Sequence, residues 1–243
     1  MDYGEADRIV TVLTPDRGKL RVMARGVRRS TSRMAGHFEL FAHAHVLLAR
    51  GRDLDTVTQA STVNAYRSLH EDMVALSHTY HMAELVDLLL QDHDPHPEVF
   101  TLLQHALSAL DERQIAPDLV VRHFELHLLN VVGFRPELTV CLGCSEPIEP
   151  GSNGYSVARG GVFCPSCSAR EPSAPVIDVD TLKLLRFLQR TRSARDLTLR
   201  APADASKDAE RVLRRHIEHV LERRLKAADF VRIVAETASG YGA

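Results

Sequence analysis

Two kinds of hydrophobic periodicity divide the chain near residue 66. In the first part apolar and polar residues alternate, a pattern typical of strands that are half-buried in a sheet. We predict four strands joined by short turns, which together suggest a small barrel or sandwich. The predicted strands are Arg8–Thr14, Lys19–Ala24, Phe38–Ala49 and Asp55–Tyr66.

From about Ser68 onward, apolar residues recur at the spacing of amphipathic helices. The first predicted helix continues to about Asp92, with Glu84 and Asp87 on a solvated acidic face. Its predicted buried face includes Leu69, Met73, Leu76, Tyr80 and Ala83. Further helices are predicted at Glu98–Glu112, Asp118–Val132, Asp178–Thr191 and Ala205–Lys226. Residues 136–175 are rich in Pro, Gly and Cys, which predicts an insertion that contains no long helix.

All four cysteines fall into one pattern, two C-x2-C pairs separated by 19 residues. Each pair lets two thiolates reach one ion from a tight turn, and two pairs complete the tetrahedral sulfur shell that suits Zn²⁺. Disulfides are disfavoured because no segment indicates secretion. Four thiolates leave no open position for water, so the pattern predicts a structural zinc ion. The predicted ligands are Cys141, Cys144, Cys164 and Cys167.

Length and composition limit the class of protein. The 243 residues allow one large or two small domains, and a hydrophobic content of 44% is ordinary for a folded protein. No apolar run approaches the roughly 18 residues of a membrane span, and the acidic N-terminus does not resemble a signal peptide. We therefore expect a cytoplasmic protein with no membrane partner.

Charge is segregated along the chain although the net charge is only -2. Seven basic residues and no acid lie from Arg17 to Arg33, whereas nine acids and no Lys or Arg lie from Ser68 to Glu112. Arginine pairs with phosphate and stacks on bases, so the basic stretch predicts a salt-sensitive DNA-binding face. An exposed Arg-rich loop without a ligand is the alternative. The candidate DNA-binding residues are Lys19, Arg21, Arg25, Arg28, Arg29 and Arg33.

No sequence motif indicates catalysis. The chain lacks a phosphate-binding loop, a nucleophile elbow and a metalloprotease helix motif, and no residue stands out as a nucleophile or base. We therefore predict that the protein is not an enzyme, and a nucleic-acid enzyme is the weakest alternative. The 13 histidines, including His216 and His219, are predicted to be surface or core residues instead of metal ligands.

Three segments resemble the RecO family of DNA repair proteins, and the resemblance covers essentially the whole chain. The first is DYGEADRIVTVLTPDRGKLRVMARGVRRSTSRMAGHFELF, which is similar to the family's N-terminal region. The other two are LLNVVGFRPELTVCLGC and GVFCPSC, which resemble its helical domain with a zinc knuckle.

The resemblance implies an α+β protein with an OB-fold DNA-binding domain at residues 1–66. A helical domain at 67–243 would carry the four-cysteine zinc knuckle as an insertion at about 136–175. Family members have a further strand before the DYGE-like motif, so the first strand of this barrel is expected to be missing and the barrel open at one edge.

The resemblance also implies a recombination mediator that acts without catalysis. Such a protein binds single- and double-stranded DNA, anneals strands and helps load the recombinase. Its partners would be RecR and the acidic C-terminal tail of the single-strand binding protein. The basic residues from Lys19 to Arg33 would then form the DNA-binding face, and the protein would associate with the nucleoid.

One alternative is a zinc-stabilised protein–protein interaction module whose basic loop binds an acidic protein partner without binding DNA directly. Zinc is expected in both cases and does not distinguish them. The two hypotheses are distinguished by whether the folded protein binds DNA at low salt.

Overall fold

The computed structural model describes residues 2–3, 5–27, 39–227, 230–231, 233–234 and 237. A five-stranded sheet comes first, and a helical part that contains one short hairpin follows, which confirms the predicted α+β class. The strands are β1 (Asp2–Tyr3), β2 (Asp7–Thr14), β3 (Gly18–Ala24), β4 (His43–Ala49), β5 (Asp55–Asn64), β6 (Gly154–Ser156) and β7 (Gly161–Phe163). The helices are α1 (Arg67–His70), α2 (Met73–Leu89), α3 (Pro97–Glu112), α4 (Pro117–Val131), α5 (Pro165–Ser168), α6 (Val179–Arg190) and α7 (Ala203–Leu221).

The N-terminal strands form one OB-like sheet in the order β1-β2-β3-β5-β4. Strands β3 and β5 run parallel, and the other neighbouring pairs are antiparallel. The sheet has one strand more than the four that the alternation predicts, because Asp2 and Tyr3, within the DYGE-like motif itself, pair with Arg8 and Asp7 as a two-residue edge strand. Within the described residues, β1 and β4 are the two edges of this sheet.

The sheet has a small core of its own. Leu20, Val22 and Ala24 are buried, as the alternation in β3 predicts. Leu20 and Val22 pack with Val57 from β5. Helices α2, α3, α4, α6 and α7 share a much larger apolar core, which also takes in the segment that carries the cysteines.

Strand β3 joins the sheet to the helical part through its first two residues. The Lys19 ammonium contacts the Asp87 carboxylate at 3.2 Å and the Asp92 carboxylate at 3.3 Å. The Lys19 carbonyl accepts a hydrogen bond from the His93 amide at 2.9 Å. Gly18 has a φ of 69°, and a Cβ there would lie 2.2 Å from the Asp94 carbonyl oxygen. Only glycine allows this close approach of the two backbones.

Helix α2 is shorter than predicted, and its buried face is a different one. The Asp72 carboxylate accepts hydrogen bonds from the amides of Val74 and Ala75, which fixes the start of α2 at Met73 and separates it from α1. Met73 is 56% exposed and Tyr80 is 40% exposed, so these two residues of the predicted inner face point outward. The buried side chains are instead Ala75, Ser77, His78, Thr79, His81, Met82, Leu85 and Val86.

Buried polar groups join α2 to α4. His81 Nε2 lies 2.6 Å from Glu125 Oε1, and the Arg122 Nε lies 3.1 Å from Glu125 Oε2. All three side chains are almost entirely buried, and that of Glu125 is fully buried. The imidazole therefore donates to the carboxylate, and the guanidinium supplies the compensating charge.

The C-terminal helix also ends earlier than predicted. Helix α7 stops at Leu221, where Glu222 adopts a left-handed conformation with φ of 52°. Leu213, Ile217 and Leu225 are nevertheless buried, as their spacing predicts. No helix of the described chain is both long and apolar enough to cross a lipid bilayer.

Buried histidines make the stability of the helical part depend on pH. Burial lowers the pKa of His78 to about 3, with the nearby Arg122 as a lesser cause, and burial lowers the pKa of His123 to about 4. The unfolded chain, with histidine pKa values near 6.5, then binds more protons below that pH than the folded chain does. Stability is therefore fully present above about pH 6.5 and is lost as the pH falls toward these lowered values.

We expect His78→Leu to weaken the pH dependence of unfolding. Each of these two histidines destabilises the fold by about 3 kcal/mol between pH 6.5 and pH 4, and leucine has no proton to bind. Urea unfolding at a series of pH values measures the free energy of unfolding at each pH, and hence its slope against pH. An unchanged slope in the variant would show that His78 is not a source of the acid sensitivity.

Candidate functional site

The four cysteines form one compact cluster. Their sulfur atoms all lie within 4.8 Å of one another, and Cys144 and Cys164 are separated by 3.9 Å. A tetrahedral zinc ion with Zn–S bonds of about 2.3 Å requires sulfur atoms about 3.8 Å apart. The described residues contain no other group of three or more His, Cys, Asp or Glu side chains that could hold a metal ion. The donor set and its spacing fit a divalent zinc ion.

Two tight turns present the sulfur atoms. In the first turn the Ser145 amide donates to the Cys141 carbonyl at 2.9 Å. In the second, Cys164 precedes α5, and its carbonyl accepts from the Ser168 amide at 2.8 Å. The β6–β7 hairpin returns the chain between them, and the Leu142 amide bonds to the Val162 carbonyl at 3.0 Å. This antiparallel hairpin explains how cysteine pairs that are 19 residues apart in the sequence meet in space.

Gly143 allows the two turns to approach. A Cβ at this position would lie 2.9 Å from both Cβ and Sγ of Cys167, closer than real contacts allow. Sequence reasoning missed this residue, although a glycine inside a C-x2-C pair is a signal of close approach. Gly143 is thus part of the site without being a ligand.

Backbone donors favour a thiolate at Cys141. Its sulfur accepts from the amides of Gly143 at 3.4 Å and Cys164 at 3.2 Å. Burial raises the pKa of Cys141, but amide donors from Cys164, Gly143 and Cys144 outweigh it and lower the value to about 6. Hydrogen bonding to Cys164, followed by burial, raises the pKa of Cys167 to about 12. Thiolates this close repel one another, so all four ionise together only beside a cation.

The segment that carries the cysteines is fixed to the helices by polar contacts. The Arg186 guanidinium donates to the Leu138 carbonyl at 2.7 Å and to the Ile148 carbonyl at 3.2 Å. The Gln189 amide donates to the Pro136 carbonyl at 2.9 Å. The cysteine cluster is therefore continuous with the helical core.

His216 is a core residue with two partners. Its Nε2 lies 3.1 Å from the Phe134 carbonyl, so this nitrogen carries the proton. Its Nδ1 then accepts a hydrogen bond from the Tyr155 hydroxyl at 2.8 Å. Both ring nitrogens are engaged, which agrees with the prediction that this histidine is not a metal ligand.

The predicted basic residues lie in different environments. Arg21 and Arg25 are exposed, and within the described residues neither forms an ion pair. Lys19 is buried and neutralised by Asp87 and Asp92, so its charge is used at the junction between sheet and helices. Arg28, Arg29 and Arg33 fall outside the described residues.

Two acids of the predicted solvated face of α2 have specific partners. Asp87 contacts Lys19, and Glu84 accepts hydrogen bonds from the amides of Lys226 at 3.1 Å and Ala227 at 2.7 Å. Both contacts join residues that are far apart in the sequence. A local pattern of charge carries no signal of them.

Comparison with known proteins identifies the family. Family models described as Recombination protein O N terminal and Recombination protein O C terminal match residues 1–66 and 70–229. A protein named DNA repair protein RecO from Roseiflexus sp. (strain RS-1) is 39% identical over 98% of this chain and 84% of its own length. One of the same name from Anaeromyxobacter dehalogenans (strain 2CP-C) is 35% identical over 99% of this chain and 95% of its own. The chain therefore belongs to the RecO family of DNA repair proteins.

Proposed function

We propose that this protein is a DNA-binding mediator of recombinational repair that acts without catalysis. Family membership supports the role in DNA repair. The observation that carries the DNA-binding step is the pair of exposed cations, Arg21 and Arg25, on and just after β3 of the OB-like sheet. The chain then continues into the Arg-rich stretch that contains Arg28, Arg29 and Arg33.

The proposed DNA contacts are mainly to phosphate. Arginine forks bind phosphate oxygens of single and double strands alike, so binding is salt-dependent and has little sequence preference. Neutralising phosphate charge also lowers the repulsion between two complementary strands, which supports annealing. Lys19 is left out of this face, because two carboxylates already hold its ammonium.

We propose Zn²⁺ as the ion of the cysteine cluster, with a structural role. Cys141, Cys144, Cys164 and Cys167 would hold it, and the backbone amides of Gly143 and Cys164 favour the thiolate form of Cys141. The ion would supply the positive charge that lets four close sulfurs ionise together and would crosslink residues 136–175.

RecR and the acidic tail of the single-strand binding protein are the proposed partners. Exposed cations on the helical part, such as Arg192 and Arg215, support a site for an acidic tail there, since neither forms an ion pair within the described chain. Such partners and the DNA itself would bring the protein to the nucleoid, where it would assist recombinase loading.

We expect the double variant Arg28→Ala with Arg29→Ala to bind DNA with a weaker salt dependence. Each lost phosphate contact reduces the slope of log affinity against log salt by about 1. Fluorescence anisotropy with single- and double-stranded oligonucleotides over a range of salt concentrations measures this slope.

Arg159→Ala is a suitable control, because Arg159 lies on the cysteine segment and pairs with Glu171 at 3.7 Å. An unchanged slope in the double variant would exclude these two arginines from the DNA face. If folded wild-type protein bound no DNA even at low salt, the protein–protein interaction module would replace this proposal.

A further inference from the structure

An exposed apolar patch lies where the OB-like sheet, helix α2 and the C-terminal segment meet. Five of the twelve exposed large hydrophobic residues of the described chain belong to it. Monomers usually expose such residues singly, so a contiguous group marks an interaction site. We call it the aromatic patch, and its residues are Leu40, Phe41, Met73, Tyr80, Phe230 and Ile233.

Three rings form the centre of the aromatic patch. The ring centroids of Phe41 and Tyr80 are 4.8 Å apart at an interplanar angle of 88°, and those of Tyr80 and Phe230 are 6.3 Å apart at 83°. These are edge-to-face arrangements, which orient the rings. Phe41 has a φ of 64°, a rare conformation for a bulky residue that surrounding contacts must maintain. The rings are therefore held in place before any ligand binds.

Helix geometry extends the aromatic patch. Met73 and Tyr80 are seven residues apart on α2 and share one face, and Ile233 follows Phe230 by one helical turn. Glu84 lies one turn beyond Tyr80, but its carboxylate accepts hydrogen bonds from the amides of Lys226 and Ala227. Its negative charge is thus partly compensated.

Cations border the aromatic patch on the helical side. Arg223, Arg224 and Lys226 are exposed, and within the described chain none of them forms an ion pair. Lys226 lies next to the patch, because its amide contacts Glu84 on α2, one turn from Tyr80. Arg223 and Arg224 precede Lys226 in the chain by three and two residues. On the other side, Leu40 follows in sequence the Arg-rich stretch of the proposed DNA face.

Exposed rings flanked by unpaired cations are the combination that binds single-stranded nucleic acid. We propose that the aromatic patch stacks unpaired bases of single-stranded DNA, while the bordering cations contact its phosphates. This inference rests on the proposed DNA-binding function and adds a site on the helical side. Bases in a duplex are paired and stacked, so the patch would distinguish single strands from duplexes.

The test compares full-length wild-type protein with Tyr80→Ala and Tyr80→Phe at constant salt. Three labelled probes are used: an oligothymidylate of about twenty nucleotides, an abasic oligonucleotide of equal length, and a duplex. Loss of a stacking ring should weaken oligothymidylate binding by about fivefold or more, with abasic and duplex binding unchanged. Tyr80→Phe keeps the ring and should bind like wild type. Leu47→Ala, at an exposed position on β4, is the matched control.

Tyrosine fluorescence gives a second readout, because the chain has five Tyr and no Trp. Stacking on a base should quench part of this emission in wild type and not in Tyr80→Phe, although that variant still binds. Equal weakening of all three probes by Tyr80→Ala would overturn the stacking proposal, as would unchanged oligothymidylate binding. If Tyr80→Ala changed the oligomeric state and left DNA binding unchanged, the patch would be a self-association surface and the stacking proposal would be overturned. If wild type bound none of the probes, the proposed DNA-binding function itself would fail.

Discussion

Replacing Cys144 by serine is expected to reduce bound zinc from one ion per chain to nearly none and to loosen residues 136–175. Cys144 is the exposed member of the cluster, so the substitution leaves little cavity and acts through the lost thiolate. Zinc binding to four-ligand sites contributes about 10–16 kcal/mol in small peptides, and most of it is coupled to folding. Losing one ligand should therefore cost several kcal/mol of the free energy of unfolding.

The segment 136–175 depends on such a crosslink because its regular structure is slight. It contains the three-residue strands β6 and β7 and the four-residue helix α5. Metal analysis of purified protein, thiolate absorption after cobalt substitution, and limited proteolysis of this segment measure the effect. Full zinc content in Cys144→Ser, or purified wild type without four-thiolate coordination, would contradict the assignment.

Two glycine substitutions separate the geometry of the cluster from the general tolerance of the segment. A Cβ at Gly143 would collide with Cys167, whereas a Cβ at Gly151 would have no atom within 4 Å. Gly143→Ala should therefore weaken zinc retention in competition with a chelator, and Gly151→Ala should behave like wild type. Equal retention in both would show that the turns can adjust around the added methyl group.

Features encoded by local spacing were predictable from the sequence. The cysteine pairs are recognisable in the sequence because each C-x2-C is a single turn. The β6–β7 hairpin between the two pairs brings them together in space. The alternation Leu20, Val22, Ala24 predicts the buried face of β3 because side chains in a strand point alternately to its two sides.

Features that depend on partners distant in sequence were not predictable. Lys19 reads as a surface cation of the basic stretch, yet Asp87 and Asp92 hold it from more than 60 residues away. Tyr80 fits an apolar helical stripe, but α2 turns a partly polar face inward because Glu125 on α4 supplies a partner for His81. Hydrophobic periodicity depends only on which residues are apolar, and it carries no information on which polar residues find a hydrogen-bond or ion-pair partner in the fold.

Arg122 is the buried cation that pairs with Glu125 between α2 and α4, and replacing it is expected to destabilise the helical part strongly. Among the described residues, Arg122→Ala leaves the fully buried Glu125 carboxylate with the His81 imidazole as its one remaining partner. A carboxylate without its compensating charge in the protein interior costs about 3–5 kcal/mol. Urea unfolding at neutral pH measures the loss, because the linear dependence on denaturant gives the free energy directly.

Helix α7 contains a matched control for burial. Arg211 and Asp208 have the same i,i+3 spacing and a similar N–O distance, 3.0 Å against 3.1 Å, but their side chains are 52% and 35% exposed. Arg211→Ala should therefore cost less than about 1 kcal/mol. A triple variant, Arg122→Met with Glu125→Leu and His81→Leu, removes every charge and should recover much of the stability lost in Arg122→Ala, because apolar side chains of similar volume replace buried ion pairs well. Equal small losses for Arg122→Ala and Arg211→Ala would show that water reaches Glu125 and that the charge network does not hold α2 against α4.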